Sequence, residues 1–144
     1  MSQTKCVTLP NETVFVLVDS ELRQGRDVIL RVKGSSMLPT LREDRDSVRL
    51  QRRDVYRVGD VVLAQIASDW HVLHRIVALE GNRVTLHGDG ILRGDEHCLL
   101  TDIKGLAIGR IDVATNRERP LRKARVWRHL PRLLRRVLLR FFVV

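Results

Sequence analysis

The chain has 144 residues, of which 44% are apolar, 30% charged and only 4% aromatic. This length and balance fit one globular domain whose core rests on Val, Leu and Ile, and they exclude a low-complexity chain. The net charge of +9 is carried by one end: residues 1–116 hold 16 Lys+Arg and 16 Asp+Glu, while 117–144 hold ten Lys+Arg and Glu118 alone.

A helix is predicted over residues 11–25, capped by Asn11, with Val14, Leu17, Val18 and Leu22 at helical spacing and Gly25 as its stop. Short β segments follow. Val28–Lys33 ends on an alternating pattern, and Ser47–Leu50 comes after the acidic turn Glu43-Asp44-Arg45-Asp46. Asp60–Ile66 is an apolar run suited to a buried strand. His71–Leu79 and Arg83–Gly88 flank Glu80-Gly81-Asn82 as a β-hairpin, and Gly105–Val113 is a last strand. The predicted class is mainly β, a sandwich or irregular barrel with one N-terminal helix. Thr115–Pro120 reads as a linker, so the organisation is a domain over 1–116 and a basic appendage over 117–144. From about residue 130 the appendage is an amphipathic helix: Leu130, Leu133, Leu134, Val137, Leu138, Phe141 and Phe142 recur at three and four, and Arg132, Arg135, Arg136 and Arg140 fill the gaps. Pro131 suits a first helical turn.

Cys6 and Cys98 have no paired spacing, which argues for reduced thiols rather than a disulfide framework or zinc site. No secretory signal is expected: the apolar run Val14–Val18 is short and closed by Asp19 and Glu21. No segment reaches the ~18 apolar residues of a membrane-spanning helix. The expected location is cytoplasmic or peripheral to a membrane. His71, His87, His97 and His129 lack companions at metal-ligand spacing and read as structural or solvated, so no metal or other cofactor is expected.

Chemistry concentrates at Gly34-Ser35-Ser36-Met37-Leu38-Pro39-Thr40-Leu41, directly after a strand. Gly34 permits a sharp turn, and Pro39 fixes its own φ and keeps Leu38 out of the α region. Ser36 on such a stiff loop is placed to attack an extended peptide. A serine hydroxyl needs an adjacent base, most often histidine. His74, inside the apolar strand Val72–Val77 and 38 residues after Ser36, is one candidate, its other reading being a structural histidine of the core. Carboxylates able to orient an imidazole follow at Asp89, in Leu86-His87-Gly88-Asp89-Gly90, and at Asp95.

These segments, with Val58-Gly59-Asp60-Val61-Val62 between them and Gly105-Leu106-Ala107-Ile108-Gly109-Arg110 after them, resemble the signal peptidase I/LexA superfamily in order and spacing. The likeness covers about residues 28–113. Its bacterial enzymes and LexA-like repressors use a Ser–Lys dyad, whereas the archaeal and endoplasmic-reticulum signal peptidases have His at that place. His74-Arg75 resembles the second branch, in which a catalytic aspartate lies six residues beyond the Gly-Asp motif; from Asp89 that position is Asp95. The resemblance implies a triad of Ser36, His74 and Asp95, with Asp89 supporting the loop. Ser35, Met37 and Pro39 would form the oxyanion and substrate loop. Gly34 stands where many relatives have a serine that aids the oxyanion hole, and the superfamily's N-terminal membrane anchor is missing.

The implied function is a serine endopeptidase acting on a peptide, precursor or leader-like segment. One alternative is a peptidase-fold binding module with little or no activity, signalled by the altered oxyanion position. Another is a LexA-like self-cleaving regulator, against which stand the 35 residues before Ser36, too few for a DNA-binding domain. For the tail, the leading expectation is an interfacial helix. Leu134, Leu138, Phe141 and Phe142 would bury at the lipid boundary while Arg132, Arg135 and Arg136 meet anionic headgroups, at about 1 kcal/mol per basic residue. The alternatives are docking on the domain's own apolar surface or, less in keeping with so few aromatics, a nucleic-acid arm.

Overall fold

The computed structural model describes residues 5–7, 12–121 and 131–140. Strand β1 (Lys5–Val7) precedes helix α1 (Glu12–Arg23). Strands β2 (Val28–Arg31), β3 (Asp46–Gln51), β4 (Val61–Ala67), β5 (Trp70–Glu80), β6 (Arg83–His87) and β7 (Glu96–Leu99) follow. A short 3-10 turn leads into β8 (Ile103–Asp112) and β9 (Glu118–Pro120), and helix α2 (Arg132–Arg140) comes last. The strands form one sheet in the order β1-β2-β3-β8-β4-β5-β6-β7, with β9 also on β8. Among the described strands, only the β1–β2 pair is parallel. The mainly β expectation holds, with the strands in one sheet that is not closed.

Beta-branched residues crowd the predicted helix, yet α1 forms because Val18 and Leu22, one turn apart, are both buried against the sheet. Gly25, at φ 80°, ends it. Asn11, the expected cap, lies outside the described residues.

Strand β4 explains the core. Its run Val61-Val62-Leu63-Ala64 is buried on both faces. Val61 and Leu63 join α1, β2 and β3 in one cluster with Val18, Leu22, Leu30 and Leu50. Val62 and Ala64 join β5, β6 and β7 in another with Val72, Ile76, Val84, Leu86 and Cys98. A strand with apolar side chains on both faces has to be covered on both, so it lies centrally. The β4–β7 half curls over the second cluster and brings β7 against β4.

The β5–β6 hairpin turns at Gly81-Asn82, with Gly81 at φ 58° and Glu80 paired to Arg83. The sheet also extends beyond the expected boundary at 116. Glu118–Pro120 is not linker but pairs antiparallel with Gly109–Ile111. Edge position tolerates Pro120, and Glu118 accepts from the Arg49 guanidinium of β3 at 2.7 Å. Asp112 shapes the turn into β9 by accepting the backbone N–H groups of Ala114 and Thr115, and these bonds hold its carboxyl below its usual pKa. No helix among the described residues is long and apolar enough to cross a membrane.

Candidate active site

The chain leaves β2 through Val32, whose N–H donates to the Asp46 carbonyl, and turns at Gly34 with φ 73°. The Leu38–Pro39 peptide is cis. Met37, Leu38 and Leu41 are buried beneath the loop, and the Leu41 N–H donates to the Met37 carbonyl at 2.9 Å. These anchors hold Ser36, half-buried, on the wall of a cleft of about 370 Å3. His74 and Glu96 line the same cleft, as do Phe15, Leu63 and Val72. Met37 lines it too, whereas Ser35 and Pro39 are not part of the lining.

His74 lies on β5 opposite Val62 and is 4% exposed. Its Nδ1 is 3.0 Å from Glu96 Oε2. An ionised carboxylate only accepts, so Nδ1 carries the proton and Nε2 of the neutral ring is left as a base. Two glycines bring that base to the serine loop. The Gly90 N–H donates to the Ser36 carbonyl at 2.8 Å. A Cβ added to Gly88 would stand 3.1 Å from His74 Nε2 and 2.5 Å from the Ser36 carbonyl oxygen. Absence of a side chain at 88 is therefore what lets the ring and the Ser36 backbone converge.

Asp89 supports this arrangement from below. Its carboxylate takes both arms of the Arg75 guanidinium, at 2.9 and 2.8 Å, and the Thr40 hydroxyl of the serine loop. Arg75 also donates to the Gly59 carbonyl at 2.6 Å. The pair is almost fully buried, and its planar fork is matched by three acceptors, the condition under which a buried ion pair is tolerated.

Asp95 is placed elsewhere. Its Oδ1 is 2.8 Å from His87 Nδ1, and its side chain is 45% exposed. The carboxylate on His74 is that of its neighbour, Glu96. The physical reason is strand alternation: β7 begins at Glu96, which shares its face with buried Cys98 and points inward, while Asp95 ends the preceding turn. The alternation Glu96-His97-Cys98-Leu99 is the one sequence signal that could have singled out Glu96. His87, read as structural, proves to be the partner of Asp95.

Among the described residues, no hydrogen bond uses the Ser36 hydroxyl or its backbone N–H, and no cluster of three His, Cys, Asp or Glu is placed to hold a metal ion.

The family model described as Peptidase S24-like matches residues 2–90, more than half of the chain. The chain belongs to the Peptidase S24-like family. The match takes in Ser36, His74, Arg75 and Asp89 and stops before Asp95 and Glu96. No curated protein matches the chain. Membership makes this a peptidase-fold protein of the LexA/signal-peptidase superfamily, and the serine loop and β5 histidine lie in the matched region.

Of the residues expected at a membrane, Arg132 and Arg136 are exposed on α2, Leu134 is 44% exposed and Leu138 half-buried. Arg135 lies within α2, and Phe141 and Phe142 lie outside the described residues. Leu133 and Val137, one turn apart, are also exposed.

Proposed function

We propose that the chain is a serine endopeptidase of the Ser–His type, with Ser36 as nucleophile, His74 as general base and Glu96 as the group that orients His74. The observation that carries this reading is the part-buried His74–Glu96 pair, whose free Nε2 faces the Ser36 loop across Gly88. As the Ser36 oxygen adds to the scissile carbonyl, its proton passes to Nε2, and Glu96 stabilises the resulting imidazolium through Nδ1–H. Nε2–H then protonates the leaving amine, and water activated by the same ring hydrolyses the acyl-enzyme. The Ser36 backbone N–H is an available donor for the developing oxyanion. A histidine does here what a lysine does in the Ser–Lys members of the superfamily.

A serine-directed electrophilic probe followed by mass spectrometry tests this. An adduct on Ser36 that disappears in His74→Ala is the expected result; no adduct, with no cleavage of a peptide library, favours the binding-module reading, whose observation is the unengaged Ser36 hydroxyl. Release of fragments from the purified chain alone would instead support self-cleavage.

The apolar face of α2, with Leu133, Leu134 and Val137 exposed among arginines, supports peripheral attachment to an anionic membrane. Flotation with anionic liposomes should be lost when these three residues become serine. Unchanged flotation would remove this part of the reading.

A further inference from the structure

A second cavity of about 200 Å3 lies on the sheet, lined by Arg45, Asp46, Arg110, Asp112, Thr115, Arg117 and Arg119. It shares no lining residue with the Ser36 cleft. Its charges are unbalanced in a specific way. Asp46 is already occupied: it accepts the Arg42 N–H and both arms of the Arg45 guanidinium at 2.9 Å. Asp112 accepts the N–H groups of Ala114 and Thr115. Three guanidiniums remain with no carboxylate partner among the described residues: Arg110 on β8, Arg119 on β9 and Arg117 between the strands.

Register works against this arrangement. Arg110 and Arg119 are directly opposed across the β8–β9 pair, a position at which like charges destabilise a sheet. Opposed arginines with a third beside them are relieved when an anion lies between them. A single carboxylate engages one guanidinium fork, whereas a phosphate group offers three oxygens and up to two charges and suits several.

We propose that Arg110, Arg117 and Arg119 form a binding site for a phosphate group, separate from the peptidase cleft. The site lies where the chain leaves the sheet for residues 122–140, which carry eight further Lys+Arg. A lipid headgroup and a soluble phosphate share this chemistry.

The test uses the full chain and follows thermal stability and binding in three arms. These are inorganic phosphate, vesicles of phosphatidylcholine with phosphatidic acid, and a short DNA duplex. Phosphate or the acidic vesicles should bind and raise the midpoint of unfolding. Arg110→Gln and Arg119→Gln should each weaken that binding by about tenfold, and Arg119→Lys, which keeps the charge but loses the fork, should weaken it as well. A response to phosphate assigns the site to a soluble ligand, and a response confined to vesicles assigns it to a headgroup. Because each Gln variant also relieves the opposed charges, its unliganded stability should match or exceed that of the parent. The proposal is overturned if neither phosphate nor acidic vesicles bind, if only the duplex binds, or if binding is indifferent to both Gln substitutions.

Discussion

Glu96 Oε2 lies 3.0 Å from His74 Nδ1, and the adjacent Asp95 lies 2.8 Å from the Nδ1 of a different histidine, His87. One peptide bond separates the carboxylate that orients the candidate base from one that does not. Replacing Glu96 by Gln should lower peptide-cleavage rates by about 10² to 10⁴, because the ring loses both its tautomer and its imidazolium stabilisation. Asp95→Asn should leave the rate within a few-fold. Equal losses in the two variants would place the acid wrongly.

Gly88→Ala would set a methyl group 2.5 Å from the Ser36 carbonyl oxygen, a backbone atom that can move only if the serine loop moves. Chemical denaturation should show a cost of about 1–3 kcal/mol, the usual range for overpacking. Labelling of Ser36 should fall further than stability does, since the displaced loop carries the proposed nucleophile. Retention of full labelling would mean that the loop accommodates the methyl group.

Asp89 and Arg75 are buried together, so removing one charge strands the other. Asp89→Ala should cost about 3–5 kcal/mol in urea unfolding, whereas replacing both by apolar residues of similar volume should cost far less. If the double replacement is as damaging as the single one, the pair contributes more than mutual neutralisation.

Cys98 should be unreactive in the native protein. Burial, with Asp102 nearby, pushes its thiol up to about 11. In a Cys6→Ser background, a thiol reagent at pH 8 should modify Cys98 only on unfolding. The raised value also gives stability a pH dependence. It favours the folded state below the unfolded-state thiol pKa and is lost as pH rises toward 11, because the unfolded chain ionises first. Cys98→Ala should flatten this alkaline loss, measured as the unfolding midpoint between pH 8 and 11.

Much of this molecule is legible in one dimension. Val14, Val18 and Leu22 mark α1 by their spacing, and Val61–Ala64 marks β4 by continuous apolarity. Gly81 marks the hairpin, and the Gly34–Leu41 segment with His74 marks the candidate nucleophile and its candidate base. Each of these signals is local, because periodicity and turn chemistry act over a few residues. Strands β1, β7 and β9, of three or four residues each, carry too little pattern to stand out and exist only as partners of longer strands. Pairing with β8 turned an apparent linker into part of the sheet.

The sequence by itself determined that Ser36 sits on a stiff loop and His74 in an apolar strand. Tertiary structure alone decided which carboxylate serves that histidine and where the charge of the body is left unpaired. The reason is geometric: consecutive residues entering a strand point to opposite faces, so the choice between Asp95 and Glu96 turns on where β7 begins. Likewise, Arg110 and Arg119 are nine positions apart in the chain and become opposed only through the β8–β9 register.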